Sequence, residues 1–516
     1  MSQPKNHIYV LNPCYVLRND VHRIVLFSKI RPGVDCSKDW QSFIHPLQAV
    51  LLSFFTYDRT LRENIEMLAG FFHRDVAYME HVLELYLENE MPVYTVWNGQ
   101  NILFPQKILI RKEDAGADFR FMQLDPNAFV CEKLDLLSRR LYSGPLLLTF
   151  MLTNRCVTHC KYCYADTETK VRDLLPVSRI LELIRDAADL QIQQVALIGG
   201  EVFLYPDWEI ILKELVRQDI APEYLSTKIP FTEGLLRRLS KTGYRHTIQV
   251  SLDAVSASVL QESLRVSDGY WQNMEHGLRL LDQSGFDYQV STVVSSYNCN
   301  LLIMTDLFRF LLTLEHLSDW RIVPVSNSLY VEKEEMQRLK PSYEELVRLF
   351  DYIRDFILPA SPFPILLNES FRQPGRYRRM EGGSHYFERS GCSALNTHLF
   401  ILPDGKVSIC EQLYWHPTFI IGDANVSGLK ELWDSPRSLQ LVRLDRDDIR
   451  KESACKSCSF FDSCFSYRNR CWSDILKAYG LGCWDFPDPR CLWAPKMEND
   501  LEFVNCQSVN PPSEEG

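Results

Sequence analysis

A chain of 516 residues with a formal net charge of −11 is too long for one ordinary hydrophobic core and is expected to divide into about two to four domains. The net acidity argues against broad attraction to nucleic-acid phosphates or anionic lipid surfaces, so neither nucleic acid nor membrane is an expected partner. No apolar run approaches the roughly 18 residues of a membrane span, and MSQPKNHIYVLNPCYVLRND has no secretory signature; a cytoplasmic multidomain enzyme is the expectation.

The first hundred residues predict a small α+β module. HIYV and RIVLF read as short strands joined by a turn at Arg18-Asn19-Asp20. In TLRENIEMLAGFF, Leu61, Ile65, Leu68 and Phe72 share one helical face, and Thr60 with Glu63 makes a capping box. Val76, Met79, Leu83 and Tyr86 repeat the idea, and VYTVWNG with NILFP predicts a hairpin about Asn98-Gly99. Strands, three helices and a hairpin suggest a winged-helix-like domain over 1–110, with a linker over 111–144. A packing or dimerisation domain is the competing interpretation.

From Pro145 the pattern changes to alternating strands and helices. LLLTFML, QVALI, EYLS, TIQVSL, DYQVSTVV and WRIVPV are the candidate strands, with amphipathic stretches such as SRILELIRDAADL between them. Six such repeats predict a parallel sheet, curved or closed, over 145–365, with ligands at the carboxyl ends of its strands. The stretch CVTHCKYC follows the first strand, which puts Cys156, Cys160 and Cys163 on that rim. Over 366–505 regular repeats give way to short strands, turns and cysteines, including a hairpin in HLFILPDGKVSIC that turns at Asp404-Gly405. Residues 506–516 are expected to be a disordered tail.

The chain has sixteen cysteines. In a reducing compartment, clustered thiols point to metal ligation before disulfides. Three thiols separated by three and two residues, with no fourth beside them, do not match a structural zinc site closed by four ligands, although His159 lies within the run. A 4Fe-4S cubane fits better, with three irons held by thiolates and the fourth free for a small molecule.

These cysteines, with Tyr162 before the last, resemble the CxxxCxxC signature of the radical S-adenosylmethionine (radical SAM) enzymes, which have a partial (β/α)6 barrel. The resemblance implies that the open iron chelates S-adenosyl-L-methionine and that one electron cleaves the cofactor to a 5′-deoxyadenosyl radical. IGGEVFLYPDW after the second strand is similar to the family's GGEP motif, with Val202 in place of its proline. By that resemblance Gly199 and Gly200 let the backbone approach the methionine, Glu201 anchors local hydrogen bonds, and Ser251 and Asp253 in QVSLDA contact the methionine carboxylate or ribose. Ser226-Thr227-Lys228 stands where many relatives have a TNG-like turn, and no role carries over to it.

The carboxyl-terminal cysteines resemble the SPASM extension of radical SAM enzymes that modify peptides. Cys392 and Cys410 flank the hairpin, and CKSCSFFDSC supplies Cys455, Cys458 and Cys464. Cys471 departs from the family spacing, Cys483 is extra, and PDPRC ends the pattern at Cys491. The resemblance implies two auxiliary iron-sulfur clusters of 4Fe-4S type. Cys455, Cys458, Cys464 and Cys491 close one; Cys392, Cys410 and Cys471 hold the other, which has no obvious fourth cysteine and so keeps an open iron unless Cys483, a rival ligand for either, fills the place. Zinc knuckles are the alternative.

The amino-terminal pattern resembles the precursor-recognition element of enzymes that mature ribosomally made peptides, which binds a leader peptide as an added strand. Together the three resemblances imply a peptide maturase that takes electrons from a donor such as flavodoxin or ferredoxin. It would abstract hydrogen from a precursor peptide and install a cross-link, a cysteine thioether being favoured. Carbon-carbon or ether cross-linking is the close rival, followed by epimerisation with Cys299 as a hydrogen donor. A sulfatase-maturing type of dehydrogenase and a non-enzymatic metal-binding scaffold are the alternatives of other classes.

Overall fold

The computed structural model describes residues 5–29, 31, 34–116, 122–129, 131, 133–372, 392–462, 464, 470–491, 493–499 and 501. The chain divides into two compact units, Met1–Gly144 and Pro145–Gly516.

In the first unit, strand β1 (Tyr9–Leu11) is followed by an antiparallel sheet of β2 (Tyr15–Asn19), β3 (Ile24–Ser28) and β4 (Gln41–Ile44). Helices α1 (Pro46–Ser53), α2 (Leu61–Phe72) and α3 (Val76–Glu84) come next, then the hairpin of β5 (Val93–Trp97) and β6 (Gln100–Phe104), and β7 (Leu109–Arg111). The Thr60–Glu63 capping box forms as its spacing requires. Asn98 and Gly99 turn the hairpin with φ of 48° and 77°, values that suit these two residues. The strand that a turn joins to RIVLF is Tyr15–Asn19 rather than HIYV, which pairs with β7 instead. Residues 133–144 pack onto the same unit because two buried arginines need acceptors there. Arg18 donates to the Gly144 carbonyl at 2.8 Å, and Arg23 to that of Arg140 at 2.8 Å.

The second unit begins with the predicted strands: β8 (Leu147–Met151), β9 (Gln194–Ile198), β10 (Tyr224–Thr227), β11 (Thr247–Ser251), β12 (Tyr288–Val294) and β13 (Leu317–Pro324), with a short β14 (Ile365–Leu367). Between them run α4 (Val177–Asp189), α5 (Trp208–Arg217), α6 (Glu233–Ser240), α7 (Ala257–Leu264), α8 (Tyr270–Asp282), α9 (Leu301–Leu311), α10 (Lys333–Leu339) and α11 (Tyr343–Tyr352). Strands β10 to β14 form one parallel sheet in chain order. The strands bury Val195, Leu197, Leu225, Ile248, Val250, Val290 and Ile322 against the apolar stripes of the helices, such as Ile180, Leu183, Ile184 and Ala187 of α4.

The other sheet joins the two halves of this unit. Its order is β17-β16-β15-β8-β9, where β15 (His398–Ile401), β16 (Lys406–Ser408) and β17 (Gly422–Asp423) come from the cysteine-rich region. The expected hairpin forms, with Gly405 at φ 87°. Its first strand lies parallel to β8, the first barrel strand, and His398 Nε2 is hydrogen-bonded to Thr149 Oγ1 at 2.7 Å. Helices α12 (Leu429–Trp433), α13 (Pro436–Val442) and α14 (Trp472–Tyr479) complete the region. The expected tail, 506–516, lies outside the described residues. No helix among the described residues is long and apolar enough to cross a membrane.

Candidate active site

The loops after β8, β9, β10 and β11 emerge at one end of the parallel strands; the three cysteines and Tyr162 lie on the first, Gly199, Gly200 and Glu201 on the second and Asp253 on the fourth. Thr158 is buried between two of the thiols, with its hydroxyl 3.4 Å from Cys156 Sγ and 3.2 Å from Cys160 Sγ. Cys163 adjoins both electrostatically, and burial pushes its thiol pKa up. His159, the alternative fourth ligand, is exposed, and its N–H donates to the Leu264 carbonyl at 2.8 Å. Lys161 N–H donates likewise to Ser263, so the end of α7 braces the loop.

Gly199 and Gly200 serve this loop directly. Gly200 N–H donates to the Thr153 carbonyl and Glu201 N–H to that of Arg155, both at 2.8 Å. A Cβ on Gly200 would stand 2.2 Å from the Arg155 oxygen, and one on Gly199 2.7 Å from that of Thr153. The two glycines therefore allow backbone to meet backbone beneath the cysteines. Glu201 is buried and its carboxylate lies at the end of the next strand. Its carboxylate accepts from Thr227 Oγ1 at 2.9 Å and from Lys228 N–H at 2.9 Å. Burial raises its pKa, and these donors oppose the rise.

Lys228, given no role from the sequence, extends from this anchored turn into the site. Its ammonium lies 3.2 Å from Cys160 Sγ and 3.2 Å from Tyr162 Oη. Burial disfavours that charge, but Tyr162, Cys160 and Asp253 outweigh it and hold the pKa well above the usual lysine value. The buried Tyr162 hydroxyl donates to Asp253, whose other carboxylate oxygen accepts Val293 N–H at 2.9 Å. Asp253 is thus tied to the cysteine loop and to β12, and burial raises its pKa. Ser251 ends β11 in register with Ser291.

The second constellation sorts its thiols into two sets. Cys410 lies close enough to Cys392 and Cys471 to feel both electrostatically, and Cys455 adjoins Cys464 and Cys491 in the same way. Cys458 N–H donates to the Cys455 carbonyl at 3.3 Å, the local turn of the CxxC pair. Cys483 faces Arg450 and packs beside Tyr479 and Phe486. Burial pushes the Cys392 and Cys410 pKa values up and that of Cys471 to about 12. Thiols so buried give up protons readily only to a metal or cluster that takes their charge. This donor chemistry fits thiolate-ligated iron at both thiol constellations. Among the described residues no three His, Cys, Asp or Glu side chains converge in the manner of a single-ion site.

Between Cys163 and Cys410 lies an aromatic group that sequence inspection did not single out. Tyr164 adjoins Glu411, Cys163 and Cys410, and Tyr414 stacks on Trp415 while meeting Tyr330 edge-on at 5.3 Å. Ser328 Oγ donates to the Cys163 carbonyl at 3.0 Å, and Lys477 Nζ to Gln412 Oε1 at 2.6 Å. Beside them opens a cleft of about 880 Å³ walled by Ser328, Tyr330, Lys333, Tyr343 and Lys477. Cys299, the proposed hydrogen donor, faces Glu345 and Arg348 of α11, and burial pushes its pKa to about 12.

Two family models match this chain: the radical SAM superfamily over residues 150–298 and the SPASM iron-sulfur cluster-binding domain over 392–459. Mycofactocin maturase MftC of Mycobacterium tuberculosis is 24% identical over 356 residues, 68% of this chain and 83% of that protein. A probable GTP 3′,8-cyclase of Methanothermobacter thermautotrophicus is 23% identical over 271 residues, 51% of this chain and 83% of that protein. The crystal structure of Streptococcus suis SuiB bound to S-adenosylmethionine superposes with a TM-score of 0.60 at 16% identity, covering 94% of this chain and all of that one.

Proposed function

We propose that this chain, a radical SAM enzyme with a SPASM iron-sulfur cluster-binding domain, matures a ribosomally made precursor peptide by installing an intramolecular cross-link. The observation that carries the proposal is the adjacency of two thiol sites, with Tyr164 next to both Cys163 and Cys410. The relatives favour a peptide as substrate. One is a mycofactocin maturase, and SuiB has been crystallised with precursor peptide SuiA in a structure whose likeness spans 94% of this chain. The cyclase likeness spans 51%.

In this proposal Cys156, Cys160 and Cys163 hold a 4Fe-4S cluster whose chemistry, with S-adenosylmethionine, supplies a 5′-deoxyadenosyl radical able to take hydrogen from an unactivated carbon. Gly199, Gly200, Glu201 and Thr158 fix the loop that presents those thiols. Ser251 and Asp253 stand at the strand end assigned to the cofactor, and Tyr162 braces Asp253. Cys392, Cys410 and Cys471 hold one auxiliary 4Fe-4S cluster; Cys455, Cys458, Cys464 and Cys491 hold the other, with Cys483 outside both sets. The cleft beside Ser328 and Lys477 admits the core peptide to the rim while the buried Tyr414, with Tyr330 and Trp415 packed on it, keeps water from it. The first unit binds the leader segment, and a flavodoxin or ferredoxin donates the electron. The favoured bond is a cysteine thioether, because the three-thiol auxiliary set leaves one iron able to hold a substrate thiolate.

The test is anaerobic co-expression with the short peptide encoded beside this gene, followed by mass spectrometry. Loss of two hydrogens from the peptide, together with resistance of its cysteine to alkylation, supports the thioether. The same mass change with a free cysteine indicates a carbon-carbon or ether link, and an unchanged mass with an inverted residue indicates epimerisation.

A further inference from the structure

Lys228 directly follows β10. Its backbone is held at both faces: its N–H donates to Glu201 at 2.9 Å, and its carbonyl accepts the Tyr270 hydroxyl at 2.8 Å. From that fixed base the side chain places an ammonium 3.2 Å from Cys160 Sγ, with Tyr162 Oη also at 3.2 Å and the Tyr162 ring centre at 5.1 Å. Asp253, reached through the Tyr162 hydroxyl, supplies a compensating charge in the interior. A largely buried lysine is costly unless it has a partner, and here one partner is a thiol of the CxxxCxxC motif.

We infer that Lys228 is a positioning residue that raises the reduction potential of the cluster held by Cys156, Cys160 and Cys163, through a charge-assisted hydrogen bond to the Cys160 sulfur. This rests on the assignment of those thiols as cluster ligands. Hydrogen bonds to ligating sulfurs and nearby positive charge favour the more negative, reduced state. One electron enters from a low-potential donor protein, or from dithionite in vitro. No bond or proton moves, and the added negative charge is met by an ammonium already in place.

The experiment is a dithionite titration of anaerobic full-length protein, followed by electron paramagnetic resonance. The relevant signal is identified as the one that changes when S-adenosylmethionine is added. Lys228→Met is expected to move the midpoint of that signal, measured without S-adenosylmethionine, to more negative potential. Lys228→Arg should keep it near wild type, and the other iron signals should stay in place. An unchanged midpoint in Lys228→Met with full iron content overturns the inference. So does weaker S-adenosylmethionine binding with no shift, which would make Lys228 a cofactor contact only. Should Lys228→Met lose the cluster, Lys228→Gln decides on the same criterion: a more negative midpoint supports the inference, and a wild-type midpoint or a lost cluster overturns it. A wild-type protein without a signal sensitive to S-adenosylmethionine would instead refute the underlying assignment.

Discussion

Cys156 Sγ lies 3.1 Å from the carbonyl oxygen of Gly200, so the first thiol of the motif rests directly on the glycine turn that follows β9. The two motifs are separate in sequence but form one object in space. A methyl group at residue 200 would meet the Arg155 carbonyl carbon at 2.4 Å, and backbone cannot yield as a side-chain tip can. Gly200→Ala should therefore cost about 1–3 kcal/mol or more and displace the cysteine loop, seen as lost iron and lower thermal stability. Gly269→Ala, where a Cβ meets nothing within 4 Å, is the control and should retain iron.

Iron counting can test how the auxiliary thiols are grouped. Ser at Cys471 and Ser at Cys410 should remove the same cluster, so the double variant loses no more iron than either single one. Ser at Cys471 and Ser at Cys491 should remove different clusters, and their losses should add. Cys483→Ser should leave iron unchanged, since that thiol faces Arg450. Stoichiometric zinc without iron would refute the whole assignment.

Asp488 and Arg490 form a buried pair beside the first auxiliary set. Arg490 Nε and Nη2 donate to the two Asp488 oxygens at 2.6 and 2.7 Å, and Cys471 N–H donates to Asp488 at 2.8 Å. Asp488→Ala strands a buried guanidinium. Its cost should be about 3 kcal/mol, the low end of the range, because Asp474 remains 3.4 Å from Arg490. Loss should fall first on iron bound by Cys392, Cys410 and Cys471, measurable by Mössbauer spectroscopy of the variant.

His398 predicts a dependence on pH. Burial holds its folded pKa down at about 4, against about 6.5 in the unfolded chain. Its neutral form is therefore favoured by folding. That contribution is complete above pH 6.5 and is lost as pH falls towards 4, where the unfolded chain binds the proton first. In anaerobic denaturation, His398→Gln should flatten this part of the stability profile by about 3 kcal/mol relative to wild type. Parallel profiles would contradict the assignment.

Much of the fold was legible because its signals are local. The parallel strands announce themselves as apolar runs, Thr60 and Glu63 mark a helix start, and the spacing of Cys156, Cys160 and Cys163 needs no tertiary information. What escaped is non-local. Tyr15–Asn19 and Tyr9–Leu11 are both short apolar strands, and only the distant β7 decides which of them pairs where. Lys228 follows a strand like many surface lysines, and nothing nearby indicates that its ammonium meets Cys160. Thr158 is as silent, since its use comes from being buried between two thiols. Tyr164 and Tyr414 come together only when the two cysteine regions do.

The pairing of β15 with β8 bears on how such an enzyme can be cut and recombined. If the auxiliary region were a detachable appendage, truncation near residue 392 would leave a working barrel. Instead it would strip a neighbour from the strand that carries the CVTHCKYC loop, exposing His398's partner Thr149 and a row of backbone groups to unwanted pairing. Grafting a foreign auxiliary region onto this barrel would thus require the graft to bring its own matching strand, in register with Leu147–Phe150. The modular boundary of the molecule runs through a sheet, and exchange across it is constrained by hydrogen-bond register as much as by cluster ligation.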